Sequence, residues 1–338
     1  MNILMTSIYF YPHIGGIETV TEFLASEFSR MGHNVKVVTT SPCDNEHKDK
    51  TFNFEIIRQP KAKELLAAYT WCDVFVHQGI SLKWVWPLLI RRRPWFIVYH
   101  QGGYQPGILG KLKKLCSHFA HNIVVSETSQ KGYGLKRADV INNSFSSDTF
   151  VLTTPKPRKD FVFVGRLMKD KGILLLLEAY NKFKSQTGSD WKLTYVGGGA
   201  HEAMLDEAIA QSPYKEDIIK LGFKYPHEVA EILNQNQVQV VPSIYTEAFG
   251  IVVLEGMSCG CIVIGSDGDG IAEAMGSAGF QFHKGDADSL CQALVRASQL
   301  TDAEYQEQRK LMKENVERLS LNKVASRYIE VFERVLNK

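Results

Sequence analysis

The sequence lacks several features that would place it in a specialised class of protein. No apolar run is long enough to cross a bilayer, and the 338 residues carry a formal net charge of only +2. A balance this close to neutral argues against a dedicated nucleic-acid-binding protein. The first residues, MNILMTSIYFYP, contain neither a basic segment nor a small-residue cleavage site. They predict a first β-strand, and we expect a protein that stays in the cytoplasm.

Cysteine pairs of the kind that bind metals are also missing. None of the six cysteines forms a C-x-x-C pair. The single residue between Cys259 and Cys261 makes that spacing too tight for a usual zinc knuckle. We therefore expect reduced, mostly buried thiols and no metal site.

The sequence does contain enough apolar residues for two ordered domains. Hydrophobic residues make up 44% of the chain, and strand patterns alternate with helix patterns, which predicts the α/β class. Residues 153–157, TTPKP, interrupt the alternation with a Pro-rich, polar segment that is typical of a linker. We predict one domain over residues 1–153, a second over residues 158–320, and a final amphipathic helix within residues 321–338.

The first strand leads into a loop with two glycines, Gly15 and Gly16, at the start of a helix. Glycines at a helix start let a phosphate approach the backbone amides. The G-x-G-x-x-G pattern is absent, so there is no dinucleotide fingerprint. From these residues alone, an ordinary turn explains the two glycines equally well.

The most informative stretch is residues 241–260, VPSIYTEAFGIVVLEGMSCG. A buried strand ends at Pro242, a helix opens at Gly250, and Gly260 follows the end of that helix. Ligands of open α/β sheets bind where strands end at their carboxyl edge. The stretch is therefore the first place to look for a binding site.

Two carboxylates and a helix start mark this stretch. Glu247 falls in the predicted loop, and Glu255 falls in the helix eight positions later. The amides of Phe249, Gly250 and Ile251 are unpaired helix N-terminal donors, which favour an anion. From spacing alone, an exposed Glu on the helix and another in the loop is the simpler explanation.

The run Glu247-Ala-Phe-Gly, followed after seven intervening residues by Glu255-Gly-Met-Ser-Cys-Gly, resembles the signature of glycosyltransferase family 4. These are retaining sugar transferases with the B-type fold. The resemblance implies two Rossmann-like domains that face across a cleft, with the last helix packing back on the first domain. It also implies that Glu247 binds hydroxyls of the donor sugar and that Glu255 binds the ribose diol.

The same resemblance assigns roles outside this stretch. It implicates Gly15 and Gly16 at the donor phosphates and sugar, and Gly198 near the base and diphosphate. It places His100 beside the donor sugar, although a lone His at a strand end is more often structural. The resemblance is close over residues 161–286 and fainter over residues 1–150, apart from the first strand–loop–helix unit.

Two cations stand where a further strand runs into a helix. Arg166 and Lys171 lie in the segment GRLMKDKG, between the strand over residues 161–164 and a leucine-rich helix. Cations beside a helix N-terminus suit a diphosphate, whereas composition alone favours solvated surface charge. The resemblance implies that both hold the diphosphate of the donor and stabilise the leaving group.

One motif invites a metal-binding interpretation. Asp267-Gly-Asp269 looks like the divalent-metal motif of A-type glycosyltransferases, but residues 267–270 are also good turn chemistry. We predict a turn and a metal-independent enzyme. The family usually shows Gly-Gly-x-Pro-Glu here, whereas this chain has Asp269-Gly-Ile-Ala-Glu273.

We therefore expect a retaining glycosyltransferase without a cofactor. It would move a hexosyl unit from a nucleoside-diphosphate sugar, with UDP as the expected nucleotide, to a hydroxyl of a glycan or lipid-linked glycan. Cell-surface polysaccharide or lipopolysaccharide synthesis is the expected setting, with no nucleic-acid partner. Two alternatives stay open: a nucleotide-sugar epimerase of the same fold, and an inactive scaffold that binds nucleotide sugars.

Two stretches of the first domain combine basic and apolar residues. They are residues 83–95, KWVWPLLIRRRPW, and residues 108–115, ILGKLKKL. Basic amphipathic segments lie on anionic bilayers, so we expect reversible binding to the inner face of the plasma membrane. Core tryptophans and solvated lysines would explain the same pattern.

Overall fold

The structure, a computed structural model, describes residues 1–13, 15–42, 49, 51–104, 106–153 and 158–337. Contacts within the chain group into two compact units. Unit 1 comprises Met1–Ser144 with Ser320–Lys338, and unit 2 comprises Phe145–Leu319. Most of the linker predicted over residues 153–157, namely residues 154–157, lies outside the described residues, and so does Cys43.

Unit 1 is built on a parallel sheet with the strand order β3-β2-β1-β4-β5-β6-β7 in the described part of the chain. The strands are β1 (Asn2–Ser7), β2 (Asn34–Thr39), β3 (Glu55–Arg58), β4 (Val74–Gln78), β5 (Trp95–Tyr99), β6 (His121–Val124) and β7 (Asp139–Val140). The chain leaves β1 toward β2 on one side and returns to β4 on the other. The switch point for ligand binding therefore lies beyond the carboxyl ends of β1 and β4.

Helices cover this sheet and bury its apolar strands. They are α1 (Gly16–Arg30), α2 (Ala62–Trp71), α3 (Pro87–Ile90), α4 (Ile108–Ser117) and α5 (Glu127–Tyr133). On α1, Val20, Leu24 and Phe28 recur every four residues and are buried, which gives the helix one apolar face. Every residue of β4 and β5 is buried, as expected for central strands covered on both faces.

Unit 2 is also built on a parallel sheet, with the strand order β10-β9-β8-β11-β12-β13 in the described part of the chain. The strands are β8 (Lys159–Val164), β9 (Leu193–Val196), β10 (Ile218–Lys220), β11 (Asn236–Val241), β12 (Ile262–Ser266) and β13 (Phe280–Phe282). All pairs are parallel. The switch point here lies beyond β8 and β11.

The helices of unit 2 follow its strands in sequence. They are α6 (Ile173–Thr187), α7 (Glu202–Ala210), α8 (Pro226–Gln235), α9 (Ile251–Ser258), α10 (Gly270–Met275), α11 (Ala287–Ser298) and α12 (Asp302–Arg318). The loop from β11 to α9 spans the informative stretch of the sequence. The fold therefore places that stretch at the switch point of the sheet.

The final helix, α13 (Leu321–Leu336), belongs to unit 1. Its Tyr328 and Phe332 rings pack against the Phe28 ring of α1, with ring centres 6.1 Å and 5.9 Å away. Arg334 also pairs with Asp139 at 2.6 Å. The expectation that the last helix packs back on the first domain is confirmed.

Two strand predictions in unit 1 extend too far. The sequence predicts a strand over residues 123–126, but β6 ends at Val124 and Ser126 is the N-cap of α5. The Ser126 hydroxyl accepts a hydrogen bond from the Ser129 amide at 2.9 Å, which satisfies a helix donor and ends the extended conformation. The strand predicted over residues 140–144 is likewise only the two-residue β7.

Candidate functional site

Polar residues of unit 2 collect beyond the carboxyl ends of β8 and β11. A short 3₁₀ turn, Lys169–Lys171, leads to Gly172, whose φ of 74° favours glycine. A Cβ atom at Gly172 would lie 1.9 Å from the carbonyl oxygen of Pro242, so only glycine permits this approach of the two loops. The Asp170 carbonyl also accepts hydrogen bonds from the amides of Ile244 and Tyr245, at 2.9 Å and 3.2 Å.

This loop contact brings together two of the predicted site residues. The Lys171 ammonium forms an ion pair with Glu247 Oε1, and the Ser243 hydroxyl donates to the same oxygen at 3.0 Å. The Lys171 side chain is 21% exposed and the Glu247 side chain 18%. Each group is therefore held by a partner yet keeps a face toward solvent. A cation and a carboxylate side by side can serve a phosphate and a sugar hydroxyl respectively.

Arg166 lies two residues after the end of β8 and is exposed. It makes no ion pair with any residue that the structure describes. The next amide, of Leu167, donates to the Gly198 carbonyl at 3.0 Å. The turn that holds Arg166 thus lies against the predicted glycine turn. Its guanidinium is available for an anion.

The N-terminus of α9 presents donors at the same edge of the sheet. Gly250, with a φ of 93°, precedes the first helical residue, Ile251. Within the described part of the chain, the amides of Phe249, Gly250 and Ile251 donate no backbone hydrogen bond. Unpaired amides at the positive end of a helix dipole favour an anion, as predicted from the sequence.

Glu255 lies on α9 and keeps partial access to solvent. Burial raises the pKa of Glu255 to about 7. Its carboxyl group makes no side-chain hydrogen bond or ion pair with the described residues, which is costly for a carboxylate. A carboxyl group in this state is typical of a functional site rather than of a structural one.

The Asp-x-Asp motif forms a turn, as predicted. Asp269 caps α10 by accepting a hydrogen bond from the Ile271 amide at 2.9 Å. Asp267 contacts His283 Nδ1 at 2.9 Å and accepts from the Lys284 amide at 3.1 Å. Both carboxylates are therefore engaged by protein groups.

Sequence reasoning missed two residues of this site. Ser243 contacts Glu247 from four positions away, and a small polar residue just after the strand could have indicated it. Lys284 forms an ion pair with Asp269, and no local pattern indicates it, because the parallel pairing of β12 and β13 brings the two together.

In unit 1, the predicted residues lie beyond β1 and β5. His100 Nε2 lies 2.6 Å from Gln78 Oε1, and because that oxygen can only accept, Nε2 carries the proton. Burial lowers the pKa of His100 to about 4, so the ring is neutral at physiological pH. Both residues line a cavity of about 210 Å³, together with Glu18 and Lys113.

The two glycines after β1 differ in their surroundings. Gly15 is the N-cap of α1, and a Cβ atom there would lie 2.4 Å from a carboxylate oxygen of Glu18. A Cβ atom at Gly16 would meet no atom within 4 Å. The Glu18 carboxylate therefore lies close to Gly15, while Gly16 faces open space.

Two family models together match nearly the whole chain. Residues 144–335, more than half of the chain, match the family described as Glycosyl transferases group 1. Residues 14–144 match Glycosyltransferase Family 4. The chain belongs to the group 1, family 4 glycosyltransferases, as the sequence motifs predicted.

Individual relatives are distant. The gpi3 subunit of phosphatidylinositol N-acetylglucosaminyltransferase from Schizosaccharomyces pombe is 26% identical over 339 residues, which covers 88% of this chain and 72% of that one. The amylovoran biosynthesis glycosyltransferase AmsK from Erwinia amylovora is 31% identical over 143 residues, which covers 40% of this chain and 35% of that one.

Solved structures share the fold over the full length. A glycosyltransferase from Rickettsia africae has a TM-score of 0.82 at 18% identity and covers 99% of this chain and 98% of that one. Anabaena HepE, solved in complex with UDP and glucose, has a TM-score of 0.80 at 18% identity. The match covers 99% of this chain and 100% of that one. These likenesses confirm the predicted fold of two Rossmann-like domains.

Proposed function

We propose that the chain is a retaining hexosyltransferase that uses a nucleoside-diphosphate sugar, with UDP as the nucleotide. The observation that carries the proposal is the Lys171–Glu247 pair at the switch point of unit 2, beside the open N-terminus of α9. That arrangement offers a cation, a carboxylate and free amides to one ligand. A nucleotide sugar has the matching diphosphate and hydroxyl groups.

Each site residue has a distinct role in this proposal. Arg166 and Lys171 hold the diphosphate and stabilise the negative charge that develops on the leaving group. Glu247 accepts hydrogen bonds from the hexose, and Glu255 accepts them from the ribose diol. In unit 1, the neutral His100 bonds a sugar hydroxyl.

The proposed reaction needs no covalent enzyme intermediate. The bond between the anomeric carbon and the phosphate oxygen breaks, and the acceptor oxygen bonds to the same face of the sugar. The departing phosphate oxygen takes the proton of the acceptor hydroxyl, and the nucleoside diphosphate leaves. Because two protein cations and the α9 dipole supply positive charge, we propose that no divalent metal is required.

The acceptor is proposed to be a glycan or lipid-linked glycan, assembled for a surface polysaccharide or lipopolysaccharide. The names of relatives favour this setting: AmsK is described as an amylovoran biosynthesis glycosyltransferase, and the Schizosaccharomyces pombe protein acts on phosphatidylinositol by its name. In the described residues, no helix is both long enough and apolar enough to span a bilayer. Access to a lipid-linked acceptor would then require docking on the membrane surface.

Helix α4 supplies the surface for such docking. Ile108 is 78% exposed and Leu109 65% exposed, and Leu112 and Leu115 are also exposed. Three lysines share the helix, at positions 111, 113 and 114. We propose that α4 lies on anionic lipid, with its leucines in the interface and Lys111 and Lys114 at the headgroups.

A donor panel tests the proposed function. The protein is incubated with UDP-, GDP- and ADP-hexoses, with and without oligosaccharide acceptors, and products are followed by nucleotide release and proton NMR. We expect release of UDP and a new linkage with the anomeric configuration of the donor. An inverted linkage would contradict the retaining mechanism. Interconverted nucleotide sugars would instead indicate an epimerase, and binding without turnover a scaffold.

A further inference from the structure

The turn that follows β12 holds the backbone of Glu247 on both sides. The Glu247 amide donates to Asp269 Oδ2 at 3.0 Å, and the Gly270 amide donates to the Glu247 carbonyl at 3.1 Å. A Cβ atom at Gly270 would lie 2.4 Å from the carbonyl carbon of Ala248. The two loops therefore approach each other as closely as bare backbone allows.

The carboxylate of Asp269 is the centre of this contact. Asp269 is only 2% exposed, and a buried carboxylate is costly unless it is paired and hydrogen-bonded. Lys284 provides the pairing charge, and the amides of Ile271 and Glu247 provide the hydrogen bonds. The backbone of Lys284 is itself fixed, because its amide donates to Asp267.

Lys171 acts on the same glutamate from the opposite loop. Its ammonium pairs with the Glu247 side chain, while Asp269 and Gly270 fix the Glu247 main chain. Without the main-chain contacts, the carboxylate could follow Lys171 when that cation turns toward a phosphate. The sugar-binding group needs a position independent of the phosphate-binding group.

We propose that the Asp269–Lys284 pair is a positioning device that fixes Glu247 for the sugar, an inference that rests on the proposed role of Glu247. The family resemblance leads one to expect glycine at position 269, and glycine has no carboxylate with which to make these contacts. Asp269 therefore makes contacts in this chain that a glycine at the same position could not make. Neither Asp269 nor Lys284 is proposed to touch the substrate.

Three variants isolate this role. Asp269→Asn keeps the shape but removes the charge and leaves one oxygen for the amides of Glu247 and Ile271. Lys284→Met keeps the chain length and removes the cation, and Lys284→Arg keeps the cation. The matched control is Lys184→Met, because Lys184 is another ion-paired lysine of unit 2, with Asp217 at 2.7 Å, and it contacts none of the site residues.

Two measurements on the full-length protein decide the proposal. Amide hydrogen exchange over residues 243–250 is recorded without ligand, and kcat and donor KM are recorded with the best donor of the panel. We expect exchange to rise about tenfold in Asp269→Asn and Lys284→Met, since each weakens a charge-assisted contact. We expect kcat to fall about tenfold with donor KM within about threefold, and Lys284→Arg and Lys184→Met to resemble wild type.

The outcomes separate this proposal from the proposed function. Unchanged exchange in both charge-removing variants would overturn the positioning role, as would faster exchange with wild-type kcat. A similar loss of kcat in Lys184→Met would assign the effect to general destabilisation and overturn it too. If wild type turned over no donor, the proposed function would fail, and hydrogen exchange would still decide whether the pair fixes the loop.

Discussion

At the scale of single residues, the site of unit 2 combines paired and unpaired charges. Lys171 and Glu247 neutralise each other, whereas Arg166 and Glu255 have no ionic partner among the described residues. An unpaired and partly buried carboxyl group is costly for stability and is typical of a functional site. Before a ligand binds, Glu247 is therefore paired with a cation, whereas Glu255 has no ionic partner among the described residues.

That difference gives a kinetic prediction. We expect Glu247→Ala mainly to lower kcat, because contacts to the hexose strengthen as its bond to phosphate breaks. We expect Glu255→Ala mainly to raise the donor KM, because the ribose does not react. Steady-state kinetics with the best donor checks both, and thermal unfolding serves as the control for folding. Wild-type kinetics in both variants would show that the assignments are wrong.

The raised pKa of Glu255 gives a prediction for pH. Burial moves this pKa from 4.5 to about 7, so the carboxyl group is about half ionised at neutrality in the free protein. An ionised carboxylate accepts hydrogen bonds from both ribose hydroxyls. Because the ionised fraction rises about tenfold from pH 6 to pH 8, we expect donor affinity to rise by about that factor. Titration calorimetry measures it, and Glu255→Gln should abolish the slope.

The same shift sets the pH dependence of stability. Between pH 4.5 and about 7, the folded state keeps a proton on Glu255 that the unfolded chain has lost. The free energy of unfolding should therefore fall as pH rises through this window. The Glu255→Gln variant should show a smaller fall in denaturant titrations, and an identical fall would contradict the burial of this group.

At the scale of elements, much of the fold could be predicted because apolar runs are bounded by glycine and proline. The strands from β8 to β12 follow such runs, and the informative loop falls between β11 and α9 as expected. One miss has a local cause. The Ser126 hydroxyl accepts a hydrogen bond at the start of α5, so the strand predicted to reach Ser126 ends at Val124.

The candidate site was partly predictable for related reasons. Motif and chain position indicate Glu247, Glu255, Arg166 and Lys171. The contact of Lys284 with Asp269 joins residues 15 positions apart and follows only from the strand pairing. The periodic pattern of apolar residues does not indicate a side-chain contact that depends on strand pairing.

The two basic and apolar stretches of unit 1 contain both buried and exposed side chains. Trp84 and Trp95 are buried in the core, and Arg93 donates to the carbonyls of Tyr69 and Thr70. The core explanation therefore holds for Trp84 and Trp95. Leu89 and Ile90 of that stretch are nevertheless exposed, as are the large apolar side chains of α4, so both segments are candidates for lipid contact.

Vesicle co-sedimentation tests the proposed docking of α4. We expect the protein to co-sediment with vesicles that contain anionic lipid at low salt, and to stay in the supernatant at high salt. Replacing Lys111 and Lys114 by Gln should reduce the bound fraction several-fold, since each basic residue contributes about 1 kcal/mol near the surface. Replacing Lys310 and Lys313, exposed lysines on α12, is the matched control. Equal recovery with neutral and anionic vesicles would contradict membrane docking by α4.

At the scale of the whole molecule, each unit has its own switch point, and each is matched by its own family model. Unit 2 holds the paired charges and free amides that suit a nucleotide sugar. Unit 1 holds a separate cavity lined by Gln78 and His100. The predicted site residues therefore fall in both units.

Calorimetric titration of the full-length protein with UDP, in the presence of EDTA, tests the central claim most directly. We expect saturable binding at one site per chain without added metal. The double variant Arg166→Ala/Lys171→Ala should bind at least about tenfold more weakly, because it loses both charge-assisted contacts to the diphosphate. No binding by wild type, binding only after manganese is added, or equal affinity in the double variant would contradict the claim.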